Sequence, residues 1–153
     1  MARTIQSFIA ASLAAGIILI SGCHTDCPNC PPPLEGYYIT TETSKSTYYL
    51  GDTVHITVAA TNNSEDPFET TLCSSCQLGY EVLDAEGNLV FSPFACYQVL
   101  TPYALPAHET DIVELTWNLK DPNDLVATGI YQIYGALGQC RHVVGDTVTV
   151  TVQ

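Results

Sequence analysis

The chain contains seven cysteines, and their positions limit the chemistry that it can perform. Cys27 and Cys30 lie just before the proline run 31–33. Four more lie in a later part of the chain that is rich in β-branched residues: Cys73, Cys76, Cys96 and Cys140. Such thiols form disulfides, bind zinc as thiolates or take part in redox exchange. The compartment in which the chain resides decides among these roles.

The N-terminal segment has the features of a cleaved export signal. Arg3 supplies a positive charge, and the 13 residues Phe8–Ile20 are apolar apart from Ser12. A membrane-spanning helix needs about 20 such residues, so a signal peptide is favoured over a retained transmembrane anchor.

The tetrapeptide Ile20-Ser21-Gly22-Cys23 resembles the lipobox of bacterial lipoproteins, in which a signal peptidase cuts before the cysteine and that cysteine is lipid-modified. The resemblance implies that residues 1–22 are removed and that Cys23 holds the chain on a membrane of the cell envelope. His24, rather than Asp, follows the cysteine, which in lipoproteins favours the outer membrane if the cell is Gram-negative.

The chain that would remain after cleavage is strongly acidic. It has 131 residues, enough for one domain, and carries sixteen Asp and Glu against Lys45, Lys120 and Arg141, a formal charge of −13. Such a polyanion is repelled by phosphate backbones, which argues against nucleic acid as a partner.

Period-2 alternation between turn signals predicts an all-β domain over residues 37–153, after a Cys/Pro-rich tether at 23–36. No helical period follows the signal peptide. We predict an immunoglobulin-like antiparallel β-sandwich of about seven strands. These strands lie at Tyr37–Thr43, Thr53–Thr61, around Leu78–Val82, Leu89–Phe94, around Val113–Leu119, Gly129–Ala136 and Thr147–Val152.

The stretch from about Val54 to Leu137 resembles the BsuPI family of intracellular proteinase inhibitors. The motifs that carry the resemblance, in order, are Asn62-Asn63-Ser64, Gln77 to Gly87, Leu89-Val90-Phe91, Leu105-Pro106-Ala107-His108-Glu109, Trp117, Gly129-Ile130-Tyr131 and Gly135. The resemblance implies a sandwich that binds or inhibits another protein and has no catalytic residues. It identifies no inhibitory residue in this chain.

An exported chain meets an oxidising compartment, so the four domain cysteines predict two disulfides. A hairpin centred on Glu86-Gly87 places Cys96 opposite Gln77, which favours Cys76–Cys96 with Cys73–Cys140. Local pairing, Cys73–Cys76 with Cys96–Cys140, is the alternative. Cys27 and Cys30 either form a small bridge or stay free. A four-thiolate zinc site near His142 is the weaker interpretation of the cluster.

The sequence lacks the common catalytic motifs, including the nucleophile elbow, the phosphate-binding loop and the zinc-protease motif. We therefore expect no enzyme, no catalytic residue, no metal and no cofactor. The expected function is binding of a protein partner, a proteinase or an envelope protein, by a lipid-anchored sandwich. The alternatives are a structural envelope lipoprotein and a cysteine-coordinated metal-binding domain.

Overall fold

The computed structural model describes residues 35–121, 126–138 and 143–153. Within these residues we find no apolar helix of membrane-spanning length. The predicted signal peptide and nearly all of the tether lie outside the described residues. So do four of the seven cysteines: Cys23, Cys27, Cys30 and Cys140.

The described residues form an all-β fold of ten strands. The first five are β1 (Tyr37–Thr43), β2 (Thr47–Tyr48), β3 (Val54–Asn62), β4 (Phe68–Leu72) and β5 (Leu78–Leu83). The other five are β6 (Leu89–Phe91), β7 (Thr101–Leu105), β8 (Thr110–Trp117), β9 (Gly129–Leu137) and β10 (Val143–Val152).

The strands form two main sheets and a small third one. A three-stranded antiparallel sheet has the order β1-β3-β8, and a five-stranded sheet has the order β2-β10-β9-β5-β6. In the second sheet only β2 runs parallel to its neighbour, β10. Strands β4 and β7 pair separately. Since β1, β3 and β8 match strands A, B and E of an immunoglobulin sandwich, and β5, β9 and β10 match C, F and G, the predicted fold class is confirmed.

The core lies between the two main sheets. The four alternate side chains of β3 that face it are at most 1% exposed: Val54, Ile56, Val58 and Ala60. Burial of each branched side chain contributes about 1.5–3 kcal/mol relative to exposure. The sheets approach closely at Gly135 of β9, where an added Cβ would lie 2.6 Å from Val58 Cγ1. The Gly135 amide also donates a 2.7 Å hydrogen bond across the core to Thr41 Oγ1.

The β4–β7 pair covers one end of this core, where β1 begins. Phe68 of β4 stacks on Tyr37 with ring centroids 4.1 Å apart, and Tyr103 of β7 is 6% exposed. Asn62, at the end of β3, fixes the cap because its Nδ2 donates to the carbonyls of Leu105 and Pro106, each at 3.1 Å. The cap is therefore part of the domain's hydrophobic core.

The structure differs from the sequence prediction in the number of strands and at several strand ends. The fold has ten strands rather than seven because β2, β4 and β7 are short and lack a clear alternation. Strand β6 ends at Phe91, so Phe94 is not a strand residue. Leu119 is buried as predicted, but it lies beyond β8 with a φ of 54°, a left-handed conformation that ends the strand.

Candidate functional site

Three connections meet at one end of the five-stranded sheet, which we call the disulfide end. Leu78, the first residue of β5, pairs with Leu137 at the end of β9, and Leu137 pairs with Val143 at the start of β10. The amide of Gly138 donates a 2.7 Å hydrogen bond to the carbonyl of Gln77. The β4–β5 connection, which contains Cys73 and Cys76, therefore lies at this end, beside the start of the β9–β10 connection.

A disulfide joins Cys76 to Cys96 across 20 residues of sequence, with the two Cα atoms 5.5 Å apart. This is the pairing that the hairpin register favoured, and the local Cys73–Cys76 alternative is wrong. Cys73 is also disulfide-bonded, whereas its predicted partner Cys140 lies outside the described residues.

Disulfide formation also bears on the zinc interpretation. A zinc site of four thiolates needs every cysteine reduced, and the Cys76–Cys96 bond removes two of the proposed ligands. Among the described residues, no group of three or more His, Cys, Asp or Glu side chains is arranged to hold a metal ion.

Hydrogen bonds reinforce the disulfide on the segment that we call the stapled loop, residues 92–100 between β6 and β7. The Ser75 amide donates to the Tyr97 carbonyl at 2.9 Å, and the Tyr97 amide donates to Ser75 Oγ at 3.0 Å. Two tight three-residue turns shape the loop further, Ala95 N–H to Pro93 O at 2.7 Å and Val99 N–H to Tyr97 O at 3.0 Å. The loop backbone is thus held on both sides of Cys96.

A third attachment comes from the ring of Phe94, which lies over the backbone of β5 at Gly79. A Cβ added at Gly79 would overlap with Cε1 and Cζ of that ring. Glycine is therefore required for this close approach, because any larger residue would displace the ring and the loop with it. Phe94, assigned by the sequence to a strand, instead anchors the stapled loop.

The stapled loop exposes three large apolar side chains, together with the polar but uncharged Gln98. Tyr97 is 83% exposed, Leu100 74% and Val99 50%. No charged residue occurs in either segment that the disulfide joins, residues 70–80 and 87–107, although the whole chain carries sixteen acidic residues. The site is therefore an uncharged, apolar projection on a polyanionic domain.

Two buried tyrosines, Tyr37 of β1 and Tyr103 of the cap, lie where the β4–β7 cap meets the core at the same end of the sandwich. Burial raises the pKa of Tyr103 to about 12, with Asp111 adding to the effect, and its hydroxyl donates to Asp111 Oδ2 at 3.3 Å. Burial also raises the pKa of Tyr37, and the neighbouring Tyr103 and Asp111 raise it further. Both rings therefore stay neutral at any ordinary pH and serve as support for the cap.

Sequence reasoning missed a buried polar pair on the outer face of the five-stranded sheet. Glu81 of β5 and Tyr134 of β9 are cross-strand partners, each 5% exposed, and the Tyr134 hydroxyl donates to the Glu81 carboxylate. Alternation along β5 predicts that Glu81 faces solvent. Its burial involves Tyr134, 53 residues further along the chain, for which the local sequence of β5 has no signal.

A second exposed apolar pair lies at the opposite end of the domain. Tyr49 is 63% exposed and Leu50 46%, in the turn that follows β2. Unlike the stapled loop, this turn has a charged member, since Asp52 Oδ2 accepts a hydrogen bond from the Tyr49 amide at 3.1 Å. The pair is a matched control surface for experiments on the stapled loop.

No known protein family and no curated protein matches the chain in sequence. Among solved structures, it is similar to an alkylpurine DNA glycosylase of Pseudomonas fluorescens bound to DNA with an abasic-site analogue. The TM-score is 0.52 and the identity 9%, over 77% of this chain and 30% of that one.

Two further structural neighbours have lower scores. A β-glucosidase of Erythrobacter marinus has a TM-score of 0.48 and 11% identity, over 76% of this chain and 16% of its own. The sporulation control protein Spo0M of Bacillus subtilis has a TM-score of 0.46 and 14% identity, over 78% and 50%. The chain thus spans less than a third of the glycosylase and of the glucosidase, and at these identities the glycosylase match shows a shared fold alone.

Proposed function

We propose that this chain is a lipid-anchored protein of the cell envelope whose β-sandwich binds another protein through the stapled loop. The observation that carries the proposal is the loop itself, three exposed apolar side chains on a backbone fixed by a disulfide, hydrogen bonds and an anchored ring. The lipobox-like sequence at Cys23 and the oxidised cysteines support the extracytoplasmic location.

A loop that is already fixed loses little conformational entropy on binding. Ordering a flexible loop costs about 0.5–1.5 kcal/mol for each immobilised side chain, and covalent restraint removes part of that cost in advance. Tyrosine is enriched among residues that dominate interface energies, and charged residues are depleted at interface centres. Tyr97 fits the first tendency, and the charge-free region that contains Tyr97, Val99 and Leu100 fits the second.

The resemblance to the BsuPI family makes a proteinase of the envelope, or one secreted through it, the first class of partner to test. Inhibition requires, in addition to binding, that the loop block the active site of the proteinase. The two are therefore separate outcomes of one experiment.

The test compares the unaltered chain, a binding variant and a control variant in pull-down experiments from envelope extracts and in assays with a panel of proteinases. The binding variant carries Tyr97→Ala, Val99→Ser and Leu100→Ser, and the control carries Tyr49→Ala and Leu50→Ser at the opposite end. We expect the affinity of the binding variant for its partner to fall at least about tenfold, which corresponds to about 1.4 kcal/mol or more, while the control keeps its affinity.

Loss of binding in both variants, or in neither, would contradict the role of the stapled loop. Cofractionation with an envelope complex that ignores the loop substitutions would indicate the structural lipoprotein instead. Mass spectrometry of the mature N-terminus tests the anchor separately, and an unprocessed chain without acyl groups at Cys23 would remove that part of the proposal.

A further inference from the structure

The chain enters the sandwich at the same end as the stapled loop. Tyr37 begins β1, and a Cβ added at Gly145, near the start of β10, would lie only 2.7 Å from the carbonyl oxygen of Ile39. The start of β1 therefore lies beside the start of β10. That point is the disulfide end, because Val143 pairs with Leu137 and Leu137 pairs with Leu78.

The other end of the domain confirms this direction. After β1 the chain continues into β2, which runs parallel to the last residues of β10, with Tyr48 opposite Val152. The amide of Leu50 donates a 3.1 Å hydrogen bond to the carbonyl of Gln153. Tyr49, Leu50 and the last residue of the sequence are thus remote from the disulfide end, whereas the segment that leads back to Cys23 leaves from it.

The point of attachment is fixed as well. The Asn63 amide donates a 2.7 Å hydrogen bond to the carbonyl of Gly36, the last residue before β1. From Cys23 to Gly36 there are 14 residues, including Pro28 and the run 31–33, and a chain of that length reaches at most about 45–50 Å. An anchor at Cys23 therefore keeps the disulfide end within about 50 Å of the membrane, and it holds the domain by this end rather than by the opposite one.

From this placement, and resting on the proposed function, we propose that the stapled loop binds an integral protein of the same membrane, through an uncharged, apolar surface that this partner exposes just outside the bilayer. A partner embedded there meets the loop at the high local concentration that a short tether imposes. A freely diffusing protein receives no such advantage.

Charge argues against the lipid surface itself as the occupant. Three exposed acidic residues lie at the same end, around the point where the chain enters the domain: Glu65, Asp66 and Glu109. A negative cluster is repelled by anionic headgroups. An uncharged protein surface does not impose that repulsion.

The test uses the full chain in the cells that make it, with a photo-crosslinking amino acid in place of Tyr97 and, as the matched control, in place of Tyr49. We expect a protein adduct from position 97 that is absent at position 49. The captured protein is identified by mass spectrometry, and its own fractionation is measured in cells that lack this chain. We expect it to stay with membranes after an alkaline carbonate wash.

A second arm lengthens the tether by inserting 14 Gly and Ser residues between Pro33 and Leu34. Because effective concentration falls roughly as the −3/2 power of tether length, doubling it should lower the adduct yield about threefold. An unchanged yield would contradict a membrane-embedded partner, as would a captured protein that is soluble without this chain; either result leaves the proposed protein-binding function intact. A lipid-only adduct, or no adduct, at position 97 would overturn both.

Discussion

The stapled loop and the region around Trp117, at opposite ends of the sandwich, are ordered by different means. At the disulfide end, the stapled loop exposes its apolar side chains and is held by a covalent bond and by the Ser75–Tyr97 hydrogen bonds. At the opposite end, the chain is held by buried aromatic rings. Trp117 is 1% exposed and meets the ring of Tyr131 edge-on, with centroids 5.5 Å apart.

The polar atoms of these two rings are hydrogen-bonded to nearby backbone carbonyls. Trp117 Nε1 donates to the Lys120 carbonyl at 2.9 Å, and the Tyr131 hydroxyl donates to the Ala127 carbonyl at 2.7 Å. The latter bond has the form of the tyrosine corner of immunoglobulin-like domains, a hydroxyl that reaches a backbone carbonyl a few residues upstream. The comparison indicates that burial orders the region around Trp117, while the staple orders a loop that leaves apolar side chains in water.

The largest effect should come from Trp117→Ala. Removal of a fully buried ring leaves a cavity, so we expect the free energy of unfolding to fall by about 3–5 kcal/mol in denaturant titration. The folded fraction should still bind the partner, because the stapled loop lies at the other end. A folded Trp117→Ala chain that cannot bind would show that the two ends are not independent.

Next comes the double substitution Cys76→Ser with Cys96→Ser. Because the disulfide closes 20 residues of sequence, its loss should cost about 3 kcal/mol by restoring freedom to the unfolded chain. Unlike Trp117→Ala, it should also weaken binding by the folded protein, which titration of the partner would measure. Unchanged affinity would mean that the remaining attachments suffice to fix the loop.

A smaller loss of stability is expected for Tyr131→Phe, which removes only the hydroxyl that donates a hydrogen bond to the Ala127 carbonyl. The expected cost is about 1 kcal/mol in thermal or denaturant unfolding. Tyr97→Phe is the matched control, since that ring is 83% exposed and its loss of a hydroxyl should change stability by less than about 0.5 kcal/mol. Equal costs would contradict the contrast between the two ends.

The smallest expected effect is that of Tyr103 ionisation, which changes the stability of the domain only at alkaline pH. Tyr103 titrates near 10.0 when exposed, and burial raises its pKa to about 12 in the folded chain. In that interval the unfolded state loses the proton and the folded state keeps it, so the contribution of Tyr103 to stability is constant below pH 10 and falls as pH rises above it. Tyrosinate absorbance measured with unfolding should show this fall, and Tyr103→Phe should reduce it.

Much of the fold follows from the sequence because its alternating strands each carry their own signal. β1 has the predicted bounds, and β3 is shifted by one residue from those predicted. The predicted Cys76–Cys96 pairing also holds. The β5–β6 hairpin pairs Val82 with Phe91, as a turn at Glu86-Gly87 predicts, and the Ser75–Tyr97 hydrogen bonds keep the two segments together beyond the end of β6. Local pattern and turn chemistry are sufficient where one face of a strand is buried and the other is wet.

Other features had no local signal. Strand β2 has two residues and forms only because β10 is available beside it. Strands β4 and β7 form because they can cover the end of the core at Tyr37. The burial of Glu81 and the seat of Phe94 over Gly79 likewise depend on segments that are distant in sequence.

The sequence by itself determined the all-β class, the acidic charge, the places of the main strands and which thiols could meet, because these depend on composition and on periods of a few residues. Only the tertiary structure decided that the stapled loop is clamped at three points with Tyr97, Val99 and Leu100 outward, and that it shares an end with the start of β1. The physical reason is that exposure and proximity arise from contacts between strands far apart in the chain, which no short pattern encodes.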